Sequence, residues 1–135
     1  MSGISWKTDV GVNHVGAYQV SGRPYATGSL DATGASAIVV TFPTVTRWVS
    51  IVNHSTSALS CSFSANGMGS NYFRVHGTDD NANSAPSTVR LELKVSELYF
   101  SGSNDFDVVA GLTNIDTARL KTSSGTNWSG SSGVG

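Results

Sequence analysis

The sequence predicts an all-β chain: a single β-sandwich of about eight short strands, a jelly roll in preference to an immunoglobulin-like arrangement, with extended N- and C-terminal arms. Three observations lead there. The 15 Val and 13 Thr favour strands, while strong helix formers are scarce, with 3 Lys, 2 Glu and 7 Leu in 135 residues. Short apolar runs recur at roughly 8–12-residue spacing with turn residues between them, the pattern of a sandwich or barrel. No stretch keeps a helical period, and no apolar run approaches the ~20 residues of a membrane-spanning helix. With 39% hydrophobic residues and a net charge of −1, the composition is that of a chain able to build a core.

In order along the chain, residues 1–15 have no sustained period and read as an arm. Residues 16–22 form a short strand candidate bounded by glycines, and 23–29 a second in which Pro24 calls for an edge or a bend. Residues 37–42 are a compact apolar strand stopped by Pro43. From Val45 the residues alternate, with Thr46, Trp48, Ser50 and Val52 on one face and Arg47, Val49, Ile51 and Asn53 on the other. A turn at 53–57 leads to 59–64, where Leu59, Cys61 and Phe63 alternate with serines. Residues 71–75 are a short strand and 76–86 a polar loop. The cleanest period of two follows, with Val89, Leu91, Leu93 and Val95 facing away from Thr88, Arg90, Glu92 and Lys94. Residues 97–100 and 106–112 are further strands, and 117–121 is a last strand or, with 114–116, one helical turn. The sandwich thus spans 16–122 within a single domain, followed by a Gly/Ser-rich tail at 123–135 that contains Trp128.

The residues that would carry chemistry are sparse. The lone Cys61 excludes an intrachain disulfide and falls on the apolar face of its strand. The 22 serines include no G-x-S-x-G turn, and of the two glutamates Glu92 belongs to a solvent face. His14, His54 and His76 lack metal-ligand spacing. Asp79, Asp80, Asn81 and Asn83 could offer oxygens to calcium or to a sugar, but the same residues suit a surface turn. The eight basic residues are scattered, with only Lys7 among the first 22 positions, which argues against nucleic-acid binding. Non-enzymatic behaviour, with no cofactor, metal or membrane partner, is therefore expected. Residues 1–12 do not form a secretory signal, so the Asn-x-Ser triplets at Asn53 and Asn127 read as accidental. Phe42, Phe63, Phe73 and Phe100 are expected in the core. Trp6 and Trp128 sit in polar terminal segments and, with Tyr18 and Tyr25, are the candidate interface anchors.

The stretches VGAYQVSG at 15–22, FPTVTRW at 42–48, FSANG at 63–67 and LELKV at 91–95 resemble small virion proteins of marine viruses, especially tailed bacteriophages. VVAGLTNI at 108–115 and NWSGSSGVG at 127–135 extend the resemblance over most of the chain. It implies a jelly roll serving as a capsid decoration (cement) protein or a minor capsid protein at a vertex or penton. The implied partners are the major capsid protein and further copies of the chain, and the implied location is the capsid surface after synthesis in the host cytoplasm. A carbohydrate-binding module or tail-fibre receptor-binding domain is the alternative. The reading of the two ends as arms predicts that deleting 1–12 or 123–135 leaves the domain folded and weakens assembly. Circular-dichroism melts and sedimentation of each truncated chain check this.

Overall fold

The computed structural model describes residues 22–80, 83–122 and 125–126. Its strands are β1 (Arg23–Leu30), β2 (Ile38–Thr41), β3 (Thr46–Asn53), β4 (Leu59–Ser62), β5 (Phe73–Val75), β6 (Ser87–Leu91), β7 (Glu97–Ser101), β8 (Phe106–Leu112), β9 (Lys121–Thr122) and β10 (Gly125–Thr126). The only helical pieces among the described residues are 3-10 turns at Asn66–Gly69, Thr78–Asp80 and Thr117–Leu120. Two four-stranded antiparallel sheets form, in the orders β1-β8-β3-β6 and β2-β7-β4-β5. Within them β1 pairs with β8, β2 with β7, β3 with β6 and β4 with β5, so the pairs nest from the outside inward. The β3–β8 and β4–β7 ladders join those pairs into sheets.

The sheets pack face to face, giving an all-β, sandwich-like molecule with a core drawn from both. Val49, Ile51, Val108 and Ala110 of one sheet share a single buried cluster with Val40, Leu59, Cys61 and Leu98 of the other. Phe100 of β7 meets Phe106 of β8 at a ring distance of 4.8 Å, and Tyr25 of β1 lies edge-on to Phe42 at 5.1 Å. Full burial of such side chains contributes about 1.5–3 kcal/mol each, and aromatic pairs in these geometries add about 0.5–1.5 kcal/mol. Phe42 and Phe100 are buried as expected, whereas Phe63 and Phe73 are half-buried and stack on each other at 6.1 Å. Burial in this core pushes the Cys61 thiol far above its ordinary pKa, which leaves it protonated and unreactive.

Local structure departs from sequence periodicity where side-chain hydroxyls take over backbone pairing. The alternating run expected at 88–95 ends as a strand at Leu91, and Leu93 is 40% exposed instead of buried. The reason is Thr46. Its Oγ1 donates to Leu93 O and accepts from Val95 N–H, while its backbone N–H donates to Val95 O. These bonds take the place of the β3–β6 ladder beyond Leu91 and hold Leu93 and Val95 against Thr46. Thr46 itself is buried rather than outward, because a bulge places Arg47 between the pairs Thr46–Leu112 and Trp48–Gly111. Beyond the bulge Val49, Ile51 and Asn53 face inward as the alternation requires. In β4 the alternation ends at Ser62, whose hydroxyl donates to Ser64 O and accepts from Ser64 N–H, so both serines are buried. Residues 117–120 take the helical-turn alternative rather than the strand. Part of the expected tail is paired, as β10 forms a hairpin with β9, so truncation at 123 also removes that hairpin. The strand expected at 16–21 lies outside the described residues.

Asn53 terminates β3 with its side chain fully buried. Its Nδ2 donates to Ser57 O, Val75 O and His76 O at 2.9–3.2 Å, and its Oδ1 accepts from Ser55 N–H and Ser103 Oγ. The Asn-x-Ser triplet at 53 is therefore closed to modification in the folded chain. The loops it joins lie so close that two glycines are required. A Cβ at Gly77 would sit 2.1 Å from Thr56 O, and Gly102 has φ +99° with Ala58 O 2.9 Å from any Cβ. Asn53→Ala is predicted to lose about 3 kcal/mol or more, since it strips several buried groups of their partner at once. Ser103→Ala, which removes one donor, should lose about 1 kcal/mol. Urea unfolding at neutral pH measures both.

Candidate functional site

The outer face of the β1-β8-β3-β6 sheet gathers the polar and aromatic groups best placed to meet another molecule. Register builds it: Ala26, Val109, Ser50 and Arg90 form one row across the four strands, and Asp107, Val52 and Thr88 form the next. At the β6 side the Arg90 guanidinium lies over the Trp48 ring, 4.4 Å from its centroid. Arg90 Nε donates to Glu92 Oε2 at 2.9 Å, and Arg47 Nη1 donates to Glu92 Oε1 at the same distance. Arg90, and after it Arg47, hold the Glu92 carboxyl below the usual carboxylate range. All three charged groups face water, so the pairs add little to stability. Their effect is positional: a flat guanidinium is fixed on a flat indole, and Trp and Arg are the residue types that dominate contact energies at interfaces.

The opposite end of the same face carries a second polar group. A bulge between Thr27 and Leu30 gives Ser29 a φ of +54° and directs its N–H to Asp107 Oδ1 at 2.9 Å. Asp107 Oδ2 pairs with His54 Nε2, also at 2.9 Å. The Ser29 N–H first, and His54 second, hold the Asp107 carboxyl below its ordinary pKa.

Of the expected interface anchors, Tyr25 is half-buried, with its ring committed to Phe42 at the margin of the core. Trp6, Tyr18 and Trp128 lie outside the described residues, as do Asn81 and Ala82 of the Asp-rich loop. Asp79 and Asn83 of that loop are exposed, and Thr78–Asp80 forms a 3-10 turn. Among the described residues no group of three or more His, Cys, Asp and Glu side chains is placed to hold a metal. No helix there is long and apolar enough to cross a membrane. The Trp48–Arg90–Glu92–Arg47 cluster was absent from the expected anchors. The period-two positions of Trp48 and Arg90 put each on an outer face, but nothing in the sequence states that β3 and β6 are neighbours. No family model matches the chain, nor does any curated protein or solved structure.

The Asp107 contacts set a pH dependence. Because the fold favours the charged carboxylate, their contribution is complete above about pH 4 and is lost as the pH falls through the depressed folded-state value. Asp107→Asn is predicted to flatten the loss of stability on acidification, as measured by urea midpoints from neutral pH downwards.

Proposed function

We propose that this chain is a jelly-roll structural protein of a virion, a decoration (cement) or minor capsid subunit that strengthens a shell through non-covalent contacts. The observation that carries the reading is the nested pairing of β1 with β8, β2 with β7, β3 with β6 and β4 with β5 across two facing sheets. That is the order a long antiparallel hairpin takes when it is wound into two sheets, the jelly-roll plan used by viral capsid domains. The sequence resemblance points the same way. The near-neutral charge of −1 suits a subunit placed outside the genome. Among the described residues the outer strands of both sheets have one ladder partner each, and such edges with a Trp–Arg face suit docking on the major capsid protein and on neighbouring copies, with many weak contacts adding up over a symmetric shell. In this reading the role involves neither catalysis nor a cofactor, and the protein acts at the capsid surface.

Carbohydrate recognition by a binding module or tail-fibre domain is the second reading, since lectin domains are also built on the jelly-roll plan. Tyr72, 44% exposed at the entry to β5, favours it by offering an aromatic ring for stacking on a sugar. Mass spectrometry and cryo-electron microscopy of purified virus particles test the primary reading, which predicts the protein in regular, repeated positions on the shell. Its absence from the particles, together with millimolar or tighter binding on a glycan array, would replace that reading with the second.

A further inference from the structure

We propose that the outer side of β6, away from β3, is a self-association edge, on which a second copy of this chain pairs antiparallel about a two-fold axis through Leu91. This goes beyond the coat reading and stands apart from it, since it concerns the isolated chain. Among the described residues β6 closes its sheet and has one ladder partner, β3. Backbone direction follows from the neighbouring bonds. His54 N–H bonds Asp105 O on the β8 side, so beyond the bulge the even-numbered residues of β3 face β8, and Val49, Ile51 and Asn53 face β6. Their partners Leu91, Val89 and Ser87 turn their backbone groups inward, as Leu93 and Val95 do towards Thr46. The backbone N–H and C=O groups of Thr88, Arg90 and Glu92 therefore point out along the edge.

The side chains select the register. With the axis through Leu91, Arg90 of one copy stands opposite Glu92 of the other, twice over, and each such pair exchanges two backbone bonds. Val89 then stands opposite Leu93 and Leu91 opposite its own copy, so the 40% exposed Leu93 gains an apolar neighbour. Moving the axis to Arg90 would set two arginines against each other, and moving it to Val89 would set Glu92 against Pro86, which has no N–H to give. Of these three registers, the one through Leu91 satisfies charge, apolar match and backbone pairing together. It also gives a reason for the unbroken period of two at 88–95 in a chain whose own strand stops at Leu91. The result is a continuous eight-stranded sheet with two β6 edges at its centre and the Trp48–Arg90 faces side by side.

Sedimentation velocity of the full chain from micromolar to millimolar concentration tests this, with a reversible dimer expected. Arg90→Glu and Glu92→Arg each turn two attractive pairs into repulsive ones and should weaken the dimer roughly tenfold. An equimolar mixture of the two variants restores opposite charges at both pairs and should recover dimerisation. Hydrogen exchange at the Arg90 and Glu92 amides of the unaltered chain should slow with rising concentration, a readout that needs no variant. A chain that stays monomeric throughout overturns the proposal and leaves the edge to another partner. So does a dimer indifferent to both substitutions, or a mixture that fails to recover.

Discussion

At the end of β3 the buried Asn53 carboxamide uses its full hydrogen-bonding capacity on three separate stretches of chain. Those stretches are the β3–β4 turn, the end of β5 and the β7–β8 turn. The last of them holds the β1–β2 connection as well, because Ala32 N–H bonds Ser103 O and Gly102 N–H bonds Ala32 O. Thr78 N–H bonds Ser55 O, fastening the β5–β6 connection to the β3–β4 turn. All four connections at this end of the sandwich are thus locked through one amide and its neighbours. A nested antiparallel topology brings these loops together from distant points in the sequence. Each would otherwise bring backbone groups towards the core that no ladder satisfies.

The other end is held by hydroxyls in the same manner. Thr46 Oγ1 bridges Leu93 and Val95, and Thr113 Oγ1 donates to Val45 O while accepting from Ile115 N–H. Between these two clamps β3 lies at the inside of its sheet, bonded to β8 on one side and β6 on the other. The inward faces of β3 and β8 supply this sheet's fully buried members of the apolar cluster, and the outward face of β3 carries Trp48, over which Arg90 of β6 lies. The bulge at Arg47 links the two roles. It turns Thr46 into the core for the clamp and lets Arg47 reach Glu92 on the surface. The same clamp takes the place of the β3–β6 ladder beyond Leu91, where Leu93 is exposed, and makes β6 a short edge. Packing, the sheet edge and the surface cluster therefore share a common origin in one residue inserted into one strand.

How much of this was legible in the sequence follows from where information is local. The strands at 38–41, 46–53 and 106–112 were readable because β-branched and aromatic residues alternate or cluster between turn formers. Pro24 pointed to an edge or a bend, and among the described residues β1 ends its sheet. The end of β6 was not readable, since Leu93 and Val95 continue the period perfectly and the competing hydroxyl lies 47 residues away in Thr46. Asn53 read as one more residue on the inner face of a strand, because three of its five bonds come from Val75, His76 and Ser103, which become its neighbours only by folding. The Trp48–Arg90 stack was hidden for the same reason: its members are 42 positions apart in sequence and meet only through the β3–β6 register.

Native-state hydrogen exchange tests most directly whether one buried amide welds the loop end of the sandwich to its core. The amides of Ala32, Thr78 and Gly102 should exchange only by global unfolding, with the same free energy as those of Val49 and Ile51 in β3. Exchange of the three loop amides at a free energy far below that of the β3 amides would show that the loops open independently, and would contradict the account.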